Sequence, residues 1–137
     1  MTETTSTAAQ ARIFQAQHQD KPWGHESIFA VVDGKYVGKV LHVRSGHALS
    51  LQKHLQKEET IFVLSGKARV DYGRTETDLA SEELGPDDVI HIPARAVHRV
   101  TAITDVVMVE ASTADPGWRE DIVRFDDRYG RKGRTEP

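Results

Sequence analysis

The sequence predicts an all-β domain, either a sandwich or a barrel of short antiparallel strands. Apolar segments recur at close spacing along the chain, and Gly, Pro, Asp and Ser residues, which are typical of turns, separate them. Little of the chain has the periodicity of a helix. The length of 137 residues suits one domain with one core.

Turn residues delimit the individual strands. Asp33-Gly34 is a strong hairpin signal between two apolar segments, and Pro93 ends a later one. A further turn is predicted at Ser65-Gly66. In chain order the predicted strands are 27–32, 35–43, 48–54, 61–64, 67–72, 89–92, 97–103 and 106–110.

The two ends of the chain differ from its middle. Residues 1–20 are rich in Thr, Ser, Ala and Gln, which predicts a flexible N-terminal leader, with a short helix near 11–17 as an option. The domain, residues 21–131, begins at Lys21-Pro22-Trp23-Gly24, a turn-forming stretch with one large aromatic anchor. Residues 132–137 are predicted to be a flexible tail.

Composition excludes several classes of protein. The formal net charge is -3 and basic residues are scattered, so neither a nucleic-acid nor a membrane partner is expected. The absence of cysteine excludes disulfides, thiolate nucleophiles and Cys-based zinc sites, and it fits a reducing compartment. The N-terminus lacks the pattern of a signal peptide. We therefore expect a cytoplasmic protein.

Two predicted strands are apolar at every position instead of alternating. Residues 61–64 and 106–109 have this pattern, which is typical of strands covered on both faces. In a single barrel the outer face must meet something. We therefore predict a homodimer formed through one sheet, with coverage by the final segment of the chain as the alternative.

A first group of candidate ligands lies at the end of the third predicted strand. Side chains two apart on a strand share a face, so Gln52 and His54 are predicted to point together into the barrel. Four residues later Glu59 begins the next strand, and an antiparallel return would bring its carboxylate beside them. A helix over 52–59 is the alternative, in which His54 and Glu58 would share a face.

A distant segment offers a fourth ligand. Within residues 85–99 an apolar strand ends at Pro93, and the chain re-enters a strand that contains His98. Imidazole nitrogen with carboxylate and amide oxygens suits one divalent ion, such as Zn, Mn, Co, Ni or Fe. We predict such a metal site, with Gln52, His54, Glu59 and His98 as its ligands.

The two segments resemble the two cupin motifs. The spacing Gly-x5-Gln-x-His-x4-Glu-x6-Gly over residues 46–66 is similar to the first motif, with Gln52 at the position of its usual first histidine. Asp87-x5-Pro-x4-His resembles the second motif, with His98 as its ligand. The resemblance implies a jelly-roll barrel, also called a double-stranded β-helix.

A more specific resemblance extends over nearly the whole chain after residue 20, to the isomerase domain of type II mannose-6-phosphate isomerases. The chain departs from that family at several positions: Arg95 replaces the glycine of the second cupin motif, Val97 a common proline, and Thr60 a common histidine. The matching segments are Lys21-Pro-Trp-Gly, Leu49-Ser-Leu-Gln52-x-His54, Ile92-Pro-Ala-x-x-x-His98-Arg and Asp121-Ile-Val-Arg-Phe-Asp-Asp-Arg-Tyr-Gly-Arg131.

This resemblance implies a metal-dependent sugar-phosphate isomerase that interconverts an aldose and its ketose, such as mannose 6-phosphate and fructose 6-phosphate. The reaction needs a general base, and the sequence leaves His42, His91 and Glu110 as candidates. The substrate phosphate needs cations. The candidates are Lys21, Arg95, Arg128 and Arg131.

Two other functions stay open at this point. One is a metal cupin of different chemistry, such as a dioxygenase, decarboxylase or lyase, and the other is a non-catalytic cupin that binds a small molecule. A basic surface around the metal would favour the isomerase, and an apolar one would favour oxygen chemistry. A site closed by side chains would favour the binding protein.

Overall fold

The computed structural model describes residues 9–131, which form two antiparallel β-sheets packed face to face. This confirms the all-β prediction. Residues 9–131 contain no helix, and thus no helix that could cross a membrane. The strands are β1 (Gln17–Lys21), β2 (Gly24–Val32), β3 (Tyr36–Val43), β4 (Leu51–Lys53), β5 (Glu59–Ser65), β6 (Ala68–Thr75), β7 (Asp78–Leu84), β8 (Val89–Ile92), β9 (Val97–Ala102), β10 (Val106–Thr113) and β11 (Val123–Asp126).

The strand order is that of a jelly roll. The first sheet has the order β1-β2-β3-β10-β5-β8 and the second has the order β11-β4-β9-β6-β7. Sequence neighbours β4 and β5 lie in different sheets, as do β8 and β9, so both of these connections cross between the layers. Both predicted ligand segments lie at these crossings. The fold therefore brings them to one end of the barrel interior.

Alternation of side chains separates the barrel interior from its surface. In β3, Leu41 and Val43 are buried, whereas Val40 and His42 between them face the other side. The predicted β2–β3 hairpin forms around Gly34, whose φ of 79° is readily adopted only by glycine. The main core cluster consists of Trp23, Leu41, Val43, Ile61, Val63, Ala68, Val70, Ile92, Val100, Ala102, Val106 and Met108.

The structure corrects the predicted boundaries at the N-terminus. Residues 17–20, which we assigned to the leader, form most of β1 and pair with β2. The optional helix near residues 11–17 is absent, since residues 11–16 have no regular secondary structure. Polar side chains on an edge strand gave no apolar pattern from which β1 could be found. The rest of the leader, residues 1–8, and the tail, 132–137, lie outside the described residues.

The helical alternative for residues 52–59 is wrong. β4 ends at Lys53, an irregular loop follows, and β5 begins at Glu59. Two further strands escaped the sequence analysis. β7 is mostly exposed and lacks apolar alternation, and β11 is short and lies in a segment without strand-like alternation.

The outer face of the first sheet has an apolar row that no other strand within residues 9–131 covers. Val40, Val109, Phe62 and Val89 lie opposite one another on adjacent strands and so share this face. Val89 is 55% exposed. The alternative that the final segment covers this face is wrong, since β11 pairs with β4 in the second sheet.

Candidate metal centre

A row of side chains crosses the inner face of the second sheet. Arg124 lies opposite Gln52, Gln52 opposite His98, and His98 opposite Tyr72. Residues that are directly opposite in adjacent strands project to the same face. Strand pairing therefore brings Gln52 and His98 together, although 46 positions separate them in the sequence.

The first sheet supplies the facing carboxylate. Glu59 begins β5, and its Oε1 lies 3.0 Å from His98 Nε2 and 3.8 Å from His54 Nε2. One ligand atom from each of these three residues lies within 4.8 Å of the others, and all three residues are buried. The fold thus brings side chains from distant segments of the chain together.

The tautomers of both histidines suit metal binding. His54 Nδ1 lies 2.6 Å from the backbone oxygen of Asp121, and His98 Nδ1 lies 3.1 Å from that of Ala96. A carbonyl oxygen accepts a hydrogen bond, so each Nδ1 must donate its proton. The Nε2 lone pairs are then directed at the cluster. The Nε2 atom of His98 is buried and faces Glu59 Oε1 at 3.0 Å.

Gln52 is adjacent to this cluster. Its Nε2 lies 3.4 Å from His54 Nε2, while its Oε1 accepts a hydrogen bond from Ser50 Oγ at 2.5 Å. Rotation of the amide by a half turn exchanges its oxygen and nitrogen. The amide oxygen would then face the imidazole nitrogens. Two imidazoles, a carboxylate and an amide oxygen fit a divalent ion, and the structure thus supports a metal site here.

Asp121 fixes the loop that joins two of these ligands. Its carboxylate accepts hydrogen bonds from the backbone N–H groups of Leu55, Gln56 and Lys57 at 2.6, 2.9 and 2.9 Å. Its backbone oxygen accepts the proton of His54 Nδ1. Burial would raise the pKa of Asp121, but these backbone hydrogen bonds lower it. One residue of the final segment therefore orients both His54 and the approach to Glu59.

A buried lysine neutralises the acidic side of the site. Lys57 Nζ lies 3.6 Å from Glu59 Oε2 and 3.4 Å from Glu110 Oε2, and Lys57 is 3% exposed. Burial lowers the pKa of Lys57, but the two carboxylates outweigh it and raise the pKa above the ordinary value. Burial acts in the opposite sense on Glu59 and would raise its pKa. Lys57 and the two histidines nevertheless hold the pKa of Glu59 well below its usual range. Both groups stay charged at neutral pH.

The pKa values of the two histidines are shifted in opposite directions. Burial lowers the pKa of His54 and favours the neutral ring that a metal requires. Burial also acts to lower the pKa of His98, but the closer Glu59 carboxylate outweighs it and raises the pKa. The difference follows the distances, since Glu59 Oε1 is nearer to His98 than to His54.

A cavity of about 60 Å³ adjoins the cluster and is rich in charge. Of the residues singled out from the sequence, Lys21, Arg131 and Glu110 lie in its wall, as do Gln52, His54 and Glu59. The final segment closes one side of it. The remaining lining residues are Trp23, Glu26, Lys39, Leu41, Leu49, Lys57, Ile122 and Arg124.

The structure places four other predicted site residues elsewhere. His42 stacks on His25 on the outer face, with ring centroids 4.2 Å apart. His91 is exposed, and its Nε2 lies 2.8 Å from Glu58 Oε2. Both alternate with inward side chains, which explains their outward direction. The other two, Arg95 and Arg128, are exposed and do not line the cavity.

Arg95 has a backbone role in place of a role in the cavity. Its φ of 76° lies in the left-handed region, and its N–H donates a hydrogen bond to the backbone oxygen of His54 at 2.6 Å. This conformation explains why glycine is usual at that position of the second cupin motif. The Arg128 guanidinium donates a hydrogen bond to the backbone oxygen of Gly46 at 2.6 Å, which anchors the final segment.

Sequence reasoning missed several charged residues of the cavity. Glu26 and Lys39 lie at inward positions of β2 and β3, and Lys39 has the same parity as Leu41. A charged residue at an apolar parity position was thus a usable signal. Lys57 lies in an irregular loop, and Arg124 lies in a strand that the sequence did not predict, so neither had such a signal.

A second cavity lies on another side of the cluster and is mainly apolar. It has a volume of about 470 Å³ and lies between β6 and β7 on one side and β8 on the other. His98 lines it, so this metal-ligand candidate borders an apolar space as well. At its edge, Tyr72 Oη donates a hydrogen bond to Glu82 Oε2 at 2.6 Å.

Comparison with known proteins identifies relatives of the chain. The family model for "Mannose-6-phosphate isomerase C-terminal" matches residues 9–127. The mannose-1-phosphate guanylyltransferase ManC of Salmonella typhimurium is 34% identical over 114 residues, which is 81% of this chain and 22% of that protein. The mannose-1-phosphate guanylyltransferase of Escherichia coli is 32% identical over the same shares. The chain thus spans about a fifth of the length of these relatives.

The fold is shared with more distant proteins. A mutant of the oxalate decarboxylase OxdC of Bacillus subtilis superposes with a TM-score of 0.71 at 14% identity, over 91% of this chain and 35% of the enzyme. This similarity confirms the cupin jelly roll. Because the family model matches most of the chain, the protein belongs to the family of mannose-6-phosphate isomerase C-terminal domains.

Proposed function

We propose that the protein is a metal-dependent isomerase that interconverts a phosphorylated aldose and its ketose, most simply mannose 6-phosphate and fructose 6-phosphate. The observation that supports it best is the composition of the cavity. Three of the predicted ligands share its wall with five cationic side chains. A polyanionic sugar phosphate and a divalent ion could therefore meet in one space. The cations are Lys21, Lys39, Lys57, Arg124 and Arg131.

Gln52, His54, Glu59 and His98 would hold one divalent ion, which when bound supplies Lewis-acid stabilisation of negative charge on the substrate oxygens. The ion could be Zn, Mn, Co, Ni or Fe. Lys57 keeps Glu59 ionised, as a ligand requires. Asp121 and Ala96 hold the two imidazoles with Nε2 free to coordinate.

Glu110 is the candidate base that the structure supports. Isomerisation moves a proton between C1 and C2 of the sugar through a cis-enediol, and one carboxylate can remove it and return it. Of the three candidates from the sequence, Glu110 lines the cavity, whereas His42 and His91 face outward. Ser112 Oγ donates a hydrogen bond to Glu110 Oε2 at 3.2 Å and orients the carboxylate.

Proton exchange in heavy water tests this proposal. The protein, loaded in turn with Zn, Mn and Co, is incubated with mannose 6-phosphate and followed by NMR. We expect deuterium at C2 of mannose 6-phosphate, together with formation of fructose 6-phosphate. His98→Ala should abolish both, whereas His91→Ala, an outward histidine of the same barrel, should leave them unchanged. No exchange with any metal, in protein shown to bind the ion, would contradict the isomerase proposal.

A metal cupin of other chemistry is the second candidate. The apolar cavity of about 470 Å³ beside His98 favours it, because oxygen chemistry and decarboxylation proceed in sites that exclude water. The cationic cavity on the other side favours the isomerase. Oxygen uptake by the iron-loaded protein, measured with small organic acids, would reveal this second activity.

We also propose a cytoplasmic homodimer. The apolar row Val40, Val109, Phe62 and Val89 on the outer face of the first sheet supports the dimer, since another copy would cover it. The absence of cysteine supports a reducing compartment. Light scattering should give twice the monomer mass, and Val109→Glu should halve it. A monomeric mass for the unaltered protein would exclude the dimer.

A further inference from the structure

One wall of the cationic cavity contains a buried donor with no partner. Trp23 is 3% exposed, and its indole Nε1–H has no hydrogen-bond partner among residues 9–131. An unpaired buried donor is costly, and native structures hold few of them. Trp23 lines the cavity, so an oxygen atom placed there can accept this hydrogen bond. An indole can only donate, which restricts the ligand to an acceptor.

Two ammonium groups line the same cavity and share a single carboxylate oxygen. Lys21 Nζ and Lys39 Nζ lie 3.5 and 3.6 Å from Glu26 Oε1. Lys39 and Glu26 are both buried. One negative charge thus faces two positive charges, at distances that leave ammonium protons free for a nearer oxygen. Burial lowers the pKa of Lys21, and Lys39 adds to this while Glu26 opposes it.

The charge balance of the whole cavity has the same sign. Its wall contains five cationic side chains and three carboxylates, Glu26, Glu59 and Glu110. Lys57 is already paired with two of those carboxylates, whereas Lys21 and Lys39 share the third. The space of about 60 Å³ has room for one tetrahedral oxyanion in place of a few water molecules.

We propose that Trp23, Lys21 and Lys39 form a subsite for an oxyanion, which binds the anionic group of the substrate next to the metal ligands. This inference deepens the proposed function, and the identity of the substrate rests on that proposed function. All three side chains line one cavity and can donate to acceptor oxygens there, and hydrogen bonds from ammonium groups to an anion are strong. Phosphate and carboxylate groups share this chemistry. Binding energy at such a group, remote from the reacting carbons, can position a sugar for proton transfer.

Binding of inorganic phosphate tests the subsite without any turnover. Phosphate is titrated into the Mn-loaded protein and followed by ³¹P NMR, because a phosphate held near the paramagnetic ion is broadened. Trp23→Phe keeps an aromatic ring and removes the donor, and we expect about tenfold weaker binding. Lys39→Met leaves Lys21 and Glu26 as a balanced pair, so the protein should fold while phosphate binding falls by more than tenfold.

A third variant should change affinity in the opposite direction. Glu26→Gln removes the shared carboxylate and should tighten phosphate binding, since both ammonium groups become available. Lys67→Met alters an exposed cation outside the cavity and serves as a control without effect. Unchanged affinity in both Trp23→Phe and Lys39→Met would overturn the proposal, because phosphate would then bind at the metal alone or elsewhere.

Competition identifies the source of the oxyanion. Displacement of phosphate by mannose 6-phosphate but not by acetate or mannose would assign the subsite to phosphate esters. Equal displacement by acetate would assign it to carboxylates. If the three variants alter phosphate binding as expected but no deuterium enters mannose 6-phosphate, the subsite stands and the isomerase proposal fails. If deuterium enters while the variants leave phosphate binding unchanged, the isomerase stands and this subsite is wrong.

Discussion

The two halves of the barrel interior are built from different side chains. One half is apolar and closely packed around Val63, Val70, Val106 and Met108, each with 1% exposure or less. The other half is equally buried but polar. Its buried polar and charged members include Glu26, Lys39, His54, Lys57, Glu59, His98 and Glu110, each with 6% exposure or less.

The difference shows that stability alone does not explain this sequence. Burial of apolar surface stabilises a fold, whereas a buried ion pair often contributes no more than a well-packed apolar pair of the same volume. The same barrel could therefore be filled by apolar side chains throughout. Departures from such local consistency are expected at functional sites. The polar half is thus the candidate functional site of the barrel.

The largest effect should come from the removal of Lys57. Lys57→Met leaves the carboxylates of Glu59 and Glu110 buried without this cation, and we expect it to lower the free energy of unfolding by about 3–5 kcal/mol. Urea denaturation of the metal-free protein measures it. Lys67→Met, on an exposed lysine, should change stability by less than about 0.5 kcal/mol.

A double substitution sharpens this result. Lys57→Met combined with Glu110→Leu removes both members of one buried ion pair, and much of the lost stability should return. Failure to recover would mean that packing of the lysine stem, and not the unpaired charge, explains the loss. The polar half would then obey the same rules as the apolar half.

Asp121 should have the next largest effect, on the affinity for the metal. Asp121→Asn weakens the three hydrogen bonds that hold the loop between His54 and Glu59. We expect divalent cobalt, titrated by its absorption spectrum, to bind about 10–100-fold more weakly. Asp127→Asn alters a carboxylate of the same segment that bonds Arg131 instead, so cobalt affinity should be nearly unchanged. Equal losses in the two variants would show that Asp121 only anchors the segment.

The candidate ligands of the polar half could be proposed from the sequence because strand parity and motif spacing are local properties of it. Gln52 and His54 alternate on one strand, and the positions of Glu59 and His98 follow from the two cupin motifs. The pairing of β4 with β9 and β11 is not local. For that reason Arg124 and the role of Asp121 could be found only in the structure.

The strands that the sequence did not predict lie at the edges of the sheets. β7 reads Asp-Leu-Ala-Ser-Glu-Glu-Leu and is mostly exposed, so no apolar alternation distinguished it from a loop. Trp23 was predicted as a packing anchor, and it does belong to the core cluster. Its unpaired indole N–H depends on what surrounds it in three dimensions, which composition does not reveal.

A smaller effect should come from the turn that leads to His98. Arg95 has a φ of 76°, which strains any residue with a Cβ. Arg95→Gly should raise the free energy of unfolding by about 0.5–1 kcal/mol, while Arg95→Ala, which keeps the Cβ, should not. Thermal denaturation of both variants measures the difference. Equal stability of the glycine and alanine variants would show that the turn relaxes without cost.

The smallest effect should come from the outer face of the barrel, where His42 stacks on His25 away from the candidate metal ligands. Burial lowers the pKa of His42 from 6.5, and His25 and His18 lower it further. Between that lowered pKa and 6.5, the unfolded chain therefore binds more protons than the folded one. His42 thus stabilises the fold above this pH window, and the stabilisation is lost as the pH falls through it. His42→Gln should make the unfolding free energy less sensitive to a change from about pH 8 to about pH 5.5. An equal slope in both proteins would show that the acid sensitivity comes from the buried histidines of the polar half instead.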